Sequence, residues 1–288
     1  MPKDILSVIS SRMSGFSKGQ KLIANYIIKS YDKAAFMTAS KLGKTVNVSE
    51  STVVRFAAEL GYDGYPSMQK ALQEMIRNKL TSIQRIEVSN DRIGNQDVVN
   101  TILLSDVEKI RSTLEELSRE EFNRAVDLII NARRVYIIGV RSATAITSFL
   151  AFYFNLIFEN VTLVHTTAVS EMFEQILRVG KGDVVIGASF PRYSRRTVKA
   201  MQFARDQGAS LVAITDSKAS PLAQMAHASL IAKSDMVSFV DSIVAPLSLV
   251  NALIVAVGRK KNADLAKTFE TLERIWTEYE VYEKLDEE

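Results

Sequence analysis

Three arginines fall close together in the segment SFPRYSRRT, which runs from Ser189 to Thr197. Arg192, Arg195 and Arg196 carry guanidinium groups, which bind phosphate or carboxylate with two donors at once; each charge-assisted hydrogen bond contributes roughly 1.5–3 kcal/mol. The segment follows the apolar run VVIGA and therefore occupies the carboxyl end of a predicted strand. This spacing predicts a site for a strongly anionic ligand. The alternative is a loop that pairs with acidic residues of a neighbouring subunit.

A second candidate loop, Gly139–Ser142, follows the apolar run RVYIIG. Arg141 adds a guanidinium group that we expect across the sheet from the arginine-rich loop. Ser142 is predicted to cap the next helix, whose exposed N–H groups and positive dipole end favour an anion. The alternative is that Ser142 acts only as a cap.

Both loops belong to a region, starting at Arg134, where short apolar runs alternate with helical stretches. Five strands are predicted, in the runs RVYIIGV, NVTLVH, DVVIGAS, SLVAITD and ASLIAKS. The helices between them are predicted at Ser142–Phe158, Ala168–Val179, Ser194–Gln207 and Pro221–Ala226. Strands without polar alternation, separated by helices, are typical of a parallel sheet covered on both faces. The prediction is an open, doubly wound α/β domain with its ligand at the carboxyl ends of the strands.

Two further helices are predicted after the last strand. Phe239–Val257 is predicted to cover the sheet, and Ala263–Leu285 is predicted as a long charged terminal helix. An apolar stripe on the terminal helix needs a partner, either the domain itself or another subunit; its members are Leu265, Phe269, Leu272 and Trp276.

The N-terminal part of the chain has a different pattern, centred on Thr38–Gly61, which predicts two short helices joined by a tight turn. Gly43 allows a close helix approach, and Asn47 tolerates the positive φ that the turn needs. Val48 is expected to enter the core, and Ser49 is a predicted N-cap. An apolar stripe in the second helix recurs at helical spacing, with Val53, Phe56, Ala57 and Leu60.

The opposite face of that second helix is short, polar and basic near its N-terminus, as in helices that enter the major groove of DNA. We therefore predict a DNA-binding helix-turn-helix; the alternative is an ordinary helical hairpin in an all-α core. The residues predicted to face DNA are Lys44, Ser49, Glu50, Ser51, Thr52 and Arg55. Flanking helices are predicted at Phe16–Tyr31, with Leu22 inward, and at Ser67–Leu80.

Charge is distributed unevenly over the 288 residues. Residues 1–88 contain 13 lysines and arginines against 7 acidic residues, whereas the remainder contains 23 against 26. A basic N-terminal module on a slightly acidic body fits DNA binding. The predicted organisation is a helix-turn-helix domain at 1–80, a polar linker at 81–106, and an α/β domain with a C-terminal helix at 107–288.

Composition argues against several other classes. There is no cysteine, and the two histidines, His165 and His227, lie far apart, so we expect neither disulfides nor a metal site. No apolar run reaches the ~20 residues of a membrane span, and the N-terminus lacks signal-peptide features. The expectation is a cytoplasmic protein without a cofactor.

Two sets of motifs carry a family resemblance. The segment VNVSESTVVRFAAELGYDGYPSMQKAL resembles the N-terminal domain of RpiR/MurR-type transcriptional regulators. The segments IIGVRSA, GDVVIGAS and ARDQGASLVAITD, with Ser220–Ala223, are similar to a SIS (sugar isomerase) domain, which has a flavodoxin-like fold. The resemblance implies a homodimeric or homotetrameric regulator of sugar-phosphate metabolism genes whose SIS domain senses a phosphosugar. Most members of the family repress.

The resemblance also implies roles for individual residues. SIS domains usually carry S-x-S-G-x-T after the strand VVIGA, and bind phosphate there through hydroxyls and backbone N–H groups. Ser189, Ser194 and Thr197 occupy this region, but three extra residues are present and Arg195 replaces the glycine. The first loop reads I-G-V-R-S where the family usually has G-x-G-x-S. In SIS isomerases a pocket glutamate moves a proton; Glu171 is the candidate here, with a dipole-stabilised surface residue as the alternative.

The combined prediction is a non-enzymatic transcriptional regulator, acting as a repressor of carbohydrate metabolism genes. It is expected to bind a palindromic operator as a two-fold oligomer and to respond to a sugar phosphate or other acidic sugar. Two alternatives are a phosphosugar isomerase with an added helical domain, and a regulator whose SIS half serves only for dimerisation.

Overall fold

The computed structural model describes residues 5–76, 81–165, 168–234 and 240–283. The chain divides into two compact units. The first holds the described residues up to Ile102 together with residues 240–241, and the second holds the other described residues from Leu103 onward.

The described part of the first unit is helical. Its helices are α1 (Ile5–Ser11), α2 (Lys18–Lys29), α3 (Tyr31–Ala34), α4 (Ala39–Val46), α5 (Glu50–Glu59), α6 (Tyr65–Ile76) and α7 (Ser82–Ile93), and α8 (Val98–Glu116) crosses the boundary between the units. A short 3-10 helix lies at Met13–Gly15. Helix α2 begins at Lys18 because Ser17 and Gln20 form a reciprocal capping box. The predicted extension of α6 over residues 77–80 lies outside the described residues.

Phe56 lies in the core of the first unit, fully buried, with the ring of Phe16 edge-on at a centroid distance of 5.1 Å. Ile23 and Ile27 of α2 are also fully buried, as their helical spacing predicts. The inward placement predicted for Leu22 is wrong, since this side chain is 45% exposed. Adjacent helix positions differ by about 100°, so Leu22 and Ile23 cannot both point to the centre of the core.

The polar stretch predicted as a linker, residues 81–106, is largely helical. Helix α7 begins with a capping box between Thr81 and Gln84 and buries Val88. Arg85 of the same helix donates to Asp241 at 2.8 Å. Polar composition therefore did not prevent helix formation here, because cap residues and one narrow buried stripe were sufficient. That a domain boundary falls in this stretch stays a prediction.

A parallel five-stranded sheet forms the centre of the second unit. The strands are β1 (Val135–Gly139), β2 (Val161–Val164), β3 (Val184–Ala188), β4 (Ser210–Thr215) and β5 (Ala228–Ile231), in the order β2-β1-β3-β4-β5. All five predicted strands are present, and this order is that of flavodoxin-like sheets. Gly139 pairs with Ala188 across β1 and β3, so the loops after these two strands begin side by side.

Helices cover both faces of the sheet, which confirms the doubly wound prediction. Helices α9 (Arg119–Ile130), α10 (Ala143–Ile157) and α13 (Val244–Lys260) cover one face. Helices α11 (Val169–Gln175) and α12 (Arg195–Asp206) cover the other. Alternate strand residues divide between the two cores; Ile137 belongs to the first and Ile138 to the second. Helix α14 (Asn262–Glu278) follows α13.

Two predicted helices differ from the structure. Residues 221–226 form turns, not a helix, and the Ser220 hydroxyl accepts a hydrogen bond from the Ala223 N–H at 3.1 Å. The helix predicted at Phe239–Val257 is α13, which begins at Val244 and places Pro246 in its first turn, where no backbone donor is needed. Residue 239 lies outside the described residues.

The terminal helix α14 ends at Glu278, earlier than predicted, and residues 284–285 of the predicted range are not among those described. None of its residues is buried, and Phe269 is 37% exposed. Leu265 alone of the predicted stripe packs against the core of the second unit as a partly buried residue. Among the described residues, no helix is long and apolar enough to cross a membrane.

The stability of the first unit depends on pH through the hydroxyl of Tyr65. Its hydroxyl is buried and donates to the Met37 carbonyl at 2.7 Å, and burial raises its pKa from 10.0 to about 12. The folded state therefore keeps the proton while the unfolded state loses it. The contribution to stability is complete below pH 10.0 and is lost as the pH rises towards about 12.

We expect Tyr65→Phe to remove the last-titrating component from the ultraviolet absorbance titration of the folded protein, which contains nine tyrosines. The matched control is Tyr279→Phe, because Tyr279 is 71% exposed. If both substitutions removed the same component of the titration, the buried hydroxyl would not have the raised pKa.

Candidate functional site

The turn between α4 and α5 depends on a close backbone approach. Asn47 adopts the left-handed conformation with φ 58° and ends α4. A Cβ atom on Gly43 would lie 2.8 Å from the Val48 carbonyl oxygen, so no larger residue fits there without movement. Val48 is half-buried against the core of the first unit. The roles predicted for these three residues are confirmed.

Ser49 caps α5 as predicted. Its side chain accepts from the Thr52 N–H at 3.3 Å and lies 2.9 Å from the Ser51 hydroxyl and 2.8 Å from the Thr52 hydroxyl. Val53, Phe56, Ala57 and Leu60 are buried, as their spacing predicted. The cap and this stripe together fix which side of α5 faces solvent.

The solvent side of α5 carries most of the predicted DNA-facing residues. Lys44, Ser49, Glu50, Ser51 and Arg55 are exposed, and Thr52 is half-buried. Thr52 lies against α2, since a Cβ atom on Gly19 would be 3.4 Å from its methyl group. The Arg55 Nε donates to the Ser51 carbonyl at 3.3 Å, which leaves the guanidinium on the exposed face.

Arg12, which was not among the predicted site residues, also stabilises this helix. Its Nη1 donates to the Glu59 carbonyl, at the last residue of α5, at 2.6 Å. A cation at this end opposes the negative end of the helix dipole. The two residues are 47 positions apart, so no local pattern indicates the contact.

A cavity of about 850 Å³ lies at the carboxyl ends of the strands in the second unit. It is lined by the ends of β1 and β2, the start of α10, the loop before α12 and the first two residues of α12. The lining residues are Gly139, Val140, Arg141, Thr144, Val164, His165, Arg192, Tyr193, Ser194, Arg195 and Arg196. The structure thus brings Arg141 together with the arginine-rich loop, as the strand order implied. Among the described residues that line this cavity, none is a carboxylate.

Two of the four arginines have unusual backbone conformations. Arg141 has φ 60° and Arg192 has φ 66°, in the left-handed region that non-glycine residues rarely occupy. Residues held in this region cluster at ligand sites, where the surrounding structure enforces them. Both guanidinium groups belong to exposed residues. Within the described residues, neither Arg141 nor Arg195 has a carboxylate partner.

The arginine-rich loop is held in place by hydroxyl groups. Ser194 caps α12 by accepting from the Thr197 N–H at 3.5 Å, and the Ser189 hydroxyl accepts from the Ser194 N–H at 3.1 Å. The Thr197 hydroxyl is buried and has no hydrogen-bond partner among the described residues. Ser189 and Thr197 are not among the residues that line the cavity. They therefore support the loop from beneath.

Tyr193 and His165 line the cavity without having been predicted to do so. The Tyr193 hydroxyl donates to Asp216 Oδ1 at 2.9 Å, and Thr215 Oγ1 donates to the same oxygen at 3.3 Å. Asp216 is buried and follows β4. The loop is therefore tied to a third strand end, by a contact that joins residues 23 positions apart.

Two predicted site residues are placed differently. Ser142 precedes α10 in a helical conformation with φ −60° and makes no capping hydrogen bond, so the predicted cap is wrong. An N-cap needs an extended backbone to direct its side chain at the first-turn N–H groups. Glu171 is exposed in the first turn of α11 and does not line the cavity.

A second hollow, of about 550 Å³, lies at the opposite end of the sheet. Its lining includes Glu120, Asp127 and Asp183 beside Arg124. Arg133 holds Asp183 with two donors, at 2.9 and 3.0 Å. Carboxylates on this surface disfavour an anion, so of these two hollows the one at the strand carboxyl ends suits an anion better. Among the described residues, no group of His, Cys, Asp and Glu could hold a metal ion.

Comparisons with known proteins agree with this architecture. Residues 3–79 match the family model "Helix-turn-helix domain, rpiR family", and residues 128–256 match the family model "SIS domain". The chain is 25% identical over 279 residues to an uncharacterized HTH-type transcriptional regulator of Caldanaerobacter subterraneus, covering 94% of this chain and 96% of that protein. It is 25% identical over 225 residues to the HTH-type transcriptional regulator HexR of Pseudomonas aeruginosa, covering 77% of this chain and 76% of HexR.

A solved structure shares the fold over both units. The Vibrio vulnificus NanR protein, complexed with ManNAc-6P, superposes with a TM-score of 0.58 at 20% identity and covers 94% of this chain and 98% of its own. A helix-turn-helix unit followed by a SIS-type α/β unit defines a class of DNA-binding transcriptional regulators. The two family models together cover more than half of the chain, and the chain belongs to the rpiR family of these regulators.

Substituting Gly43 tests the close approach in the helix-turn-helix. We expect Gly43→Ala to destabilise the first unit by about 1–3 kcal/mol, because the new methyl group meets a backbone carbonyl. Alanine otherwise favours a helix by ~1 kcal/mol over glycine. Thermal unfolding followed by circular dichroism measures the change.

Gly15→Ala is the control, because a Cβ atom there has no neighbour within 4 Å. A Gly43→Ala protein that unfolds at the same or a higher temperature than the control would show that the turn tolerates a side chain.

Proposed function

We propose that this protein is a repressor of carbohydrate metabolism genes that binds a palindromic operator as a two-fold oligomer and is controlled by an anionic sugar phosphate. The observation that carries the proposal is the cavity at the strand ends, whose described lining contains four arginines and no carboxylate. Its volume, about 850 Å³, falls within the range of small-molecule sites. The sugar phosphate ManNAc-6P in the NanR structure supports the same ligand class.

The number of arginines bears on the charge of the effector. One phosphate is commonly satisfied by one or two guanidinium groups and a helix N-terminus. Here Arg141 lies on the β1 side of the cavity and Arg192, Arg195 and Arg196 on the other. We infer an effector with two anionic groups, either a bisphosphate or a sugar phosphate with a carboxylate.

Sensing without catalysis is the second part of the proposal. Aldose–ketose isomerisation needs a base within hydrogen-bond reach of the sugar carbons, and a carboxylate is suited to that step. Glu171, the candidate carboxylate, is not among the residues lining the cavity. We therefore propose that the SIS unit binds its ligand and releases it unchanged.

Coupling to DNA follows from linkage. An effector changes operator affinity only if it binds two arrangements of the protein with different affinity. We propose that this change passes through residues 81–106, the stretch in which the chain leaves the first unit and enters the second. Because the proposed operator is chromosomal DNA, we also propose that the protein acts in the cytoplasm.

The effector prediction uses thermal shift and calorimetry on the full chain with glucose 6-phosphate, 6-phosphogluconate, fructose 1,6-bisphosphate and unphosphorylated glucose. We expect the ligands with two anionic groups to bind most tightly and glucose not to bind. Arg192→Ala/Arg196→Ala should weaken binding at least about 10-fold, because each lost charge-assisted hydrogen bond contributes ~1.5 kcal/mol or more.

The control is Arg205→Ala, which removes an exposed arginine at the other end of α12. Equal affinity of the double variant and the control would remove the loop from the site. Conversion of any bound sugar phosphate, followed by NMR, would contradict sensing without catalysis.

The DNA prediction concerns Arg55. Full-length protein selects an operator from a random DNA library, and binding is then measured at several salt concentrations. Arg55→Ala should weaken binding by about 1–3 kcal/mol if Arg55 contacts a base, or reduce the salt slope by about one if it contacts a phosphate.

Lys70→Ala is the matched control, because Lys70 is exposed on α6, away from the turn. If Arg55→Ala and Lys70→Ala had the same affinity and salt slope, α5 would not be the recognition helix.

A further inference from the structure

Helix α8 presents aliphatic side chains to solvent on one side. Leu103, Val107, Ile110 and Leu114 are 59%, 52%, 38% and 58% exposed. All four belong to the second unit, and their spacing of four, three and four residues places them in one stripe along the helix. We call these four residues the α8 seam.

The side of α8 that faces the protein is a different one, and it is polar. Lys109 and Thr113 are buried. The Lys109 ammonium donates to the Ser105 hydroxyl at 2.8 Å and to Asp106 Oδ1 at 3.1 Å. Ser242 donates to the same Asp106 oxygen at 2.7 Å. This arrangement reverses the usual one, in which the apolar stripe of a surface helix is buried.

Two contacts to the segment after β5 complete the anchoring of α8. The Lys233 N–H donates to the Thr113 hydroxyl at 2.9 Å, and the Lys233 ammonium donates to Glu116 at 2.6 Å. Turning the seam inward would break these contacts and the hydrogen bond from Ser242 to Asp106. The seam therefore stays outside in a single chain.

An exposed stripe of this kind is costly in water and marks an interaction surface. A spacing of four, three and four residues is that of the apolar positions in a coiled coil, where one helix packs against another of the same spacing. No charged residue interrupts the seam. Its occupant is therefore a helix with a matching seam.

The order of side chains identifies that helix. Read forward, the seam is Leu–Val–Ile–Leu; read backward, it is Leu–Ile–Val–Leu, so leucines occupy both ends and β-branched residues the middle in either direction. We propose that α8 pairs antiparallel with α8 of a second copy of this chain, about a two-fold axis between Val107 and Ile110. Leu103 then faces Leu114 of the second copy, and Val107 faces Ile110. Such a contact is isologous, as two-fold dimers require.

This inference rests on the proposed two-fold oligomer and names the surface that forms it. It is independent of the effector, because none of the seam residues lines the cavity at the strand ends. Oligomeric state therefore tests the seam, and ligand affinity separately tests the proposed effector.

The first experiment is sedimentation equilibrium on the full chain. We expect the wild-type protein to be dimeric or tetrameric at micromolar concentration. Val107→Glu/Ile110→Glu should raise the dissociation constant of α8 pairing at least about 30-fold, because two charges enter the centre of an apolar contact. Both residues are exposed in the single chain, so circular dichroism should show an unchanged fold.

The control is Leu177→Glu, which places a charge at a 70% exposed leucine elsewhere in the second unit. A monomeric wild-type protein would overturn both the oligomer and the seam. An oligomer unaffected by Val107→Glu/Ile110→Glu would overturn the seam alone.

The second experiment uses disulfide formation, which is selective here because the chain has no cysteine. Leu103→Cys and Leu114→Cys proteins are prepared separately, mixed and oxidised. Antiparallel pairing predicts a covalent dimer in the mixture and none from either protein alone. Covalent dimers from each single variant alone would overturn the antiparallel direction, and no covalent dimer in any sample would overturn the seam.

Discussion

Parallel strands end at the same edge of a sheet, and the candidate ligand site depends on this constraint. Because β1 and β3 are neighbours and Gly139 pairs with Ala188, the loops that follow them begin side by side. Arg141 and Arg192 therefore line one cavity although 50 residues separate them in the chain. Guanidinium groups gathered in this way favour an anion between them, and the effector proposed for this site rests on that preference.

The helix-turn-helix depends on a different kind of constraint, which is steric and local. Asn47 in the left-handed conformation reverses the chain, and Gly43 without a Cβ atom lets the next residues approach α4. Once that turn is formed, burial of Phe56 determines which side of α5 remains exposed. The polar N-terminal face of α5 is then presented by a rigid core. Arg55 is exposed on this face.

Helix α8 is held by polar contacts within its own chain and leaves an apolar side exposed. A helix with its charged and hydroxyl residues turned inward gains no stability from apolar burial within its own chain. Its contacts with Lys233 and Ser242 nevertheless hold it in one orientation. The proposed pairing between two copies would bury the side left exposed. In that arrangement, the surface that joins two subunits and the cavity that binds the effector belong to the same unit.

Much of the architecture could be predicted from the sequence, because periodicity and cap residues act over a few positions. The five strands, the cap at Ser49 and the turn at Asn47 all follow from such local signals. Local signals also have limits. The helical stretch 81–106 was predicted as a linker from its polarity, and Ser142 as a cap from its position before a helix. Cap residues and a narrow buried stripe were sufficient to make the first stretch helical, and the helical backbone of Ser142 prevented the cap.

Contacts between distant residues were decided only by the tertiary structure. Tyr193 meets Asp216, and Arg12 meets the end of α5, through packing that no short pattern encodes. Glu171 has the right chemistry for catalysis but lies on an exposed helix turn outside the cavity lining. The sequence by itself determined that an arginine-rich loop follows one strand and that Asn47 and Ser49 form the turn and the cap before α5. Only the fold decided that Arg141 shares the cavity and that the α8 seam faces outward, because both outcomes depend on which elements pack together.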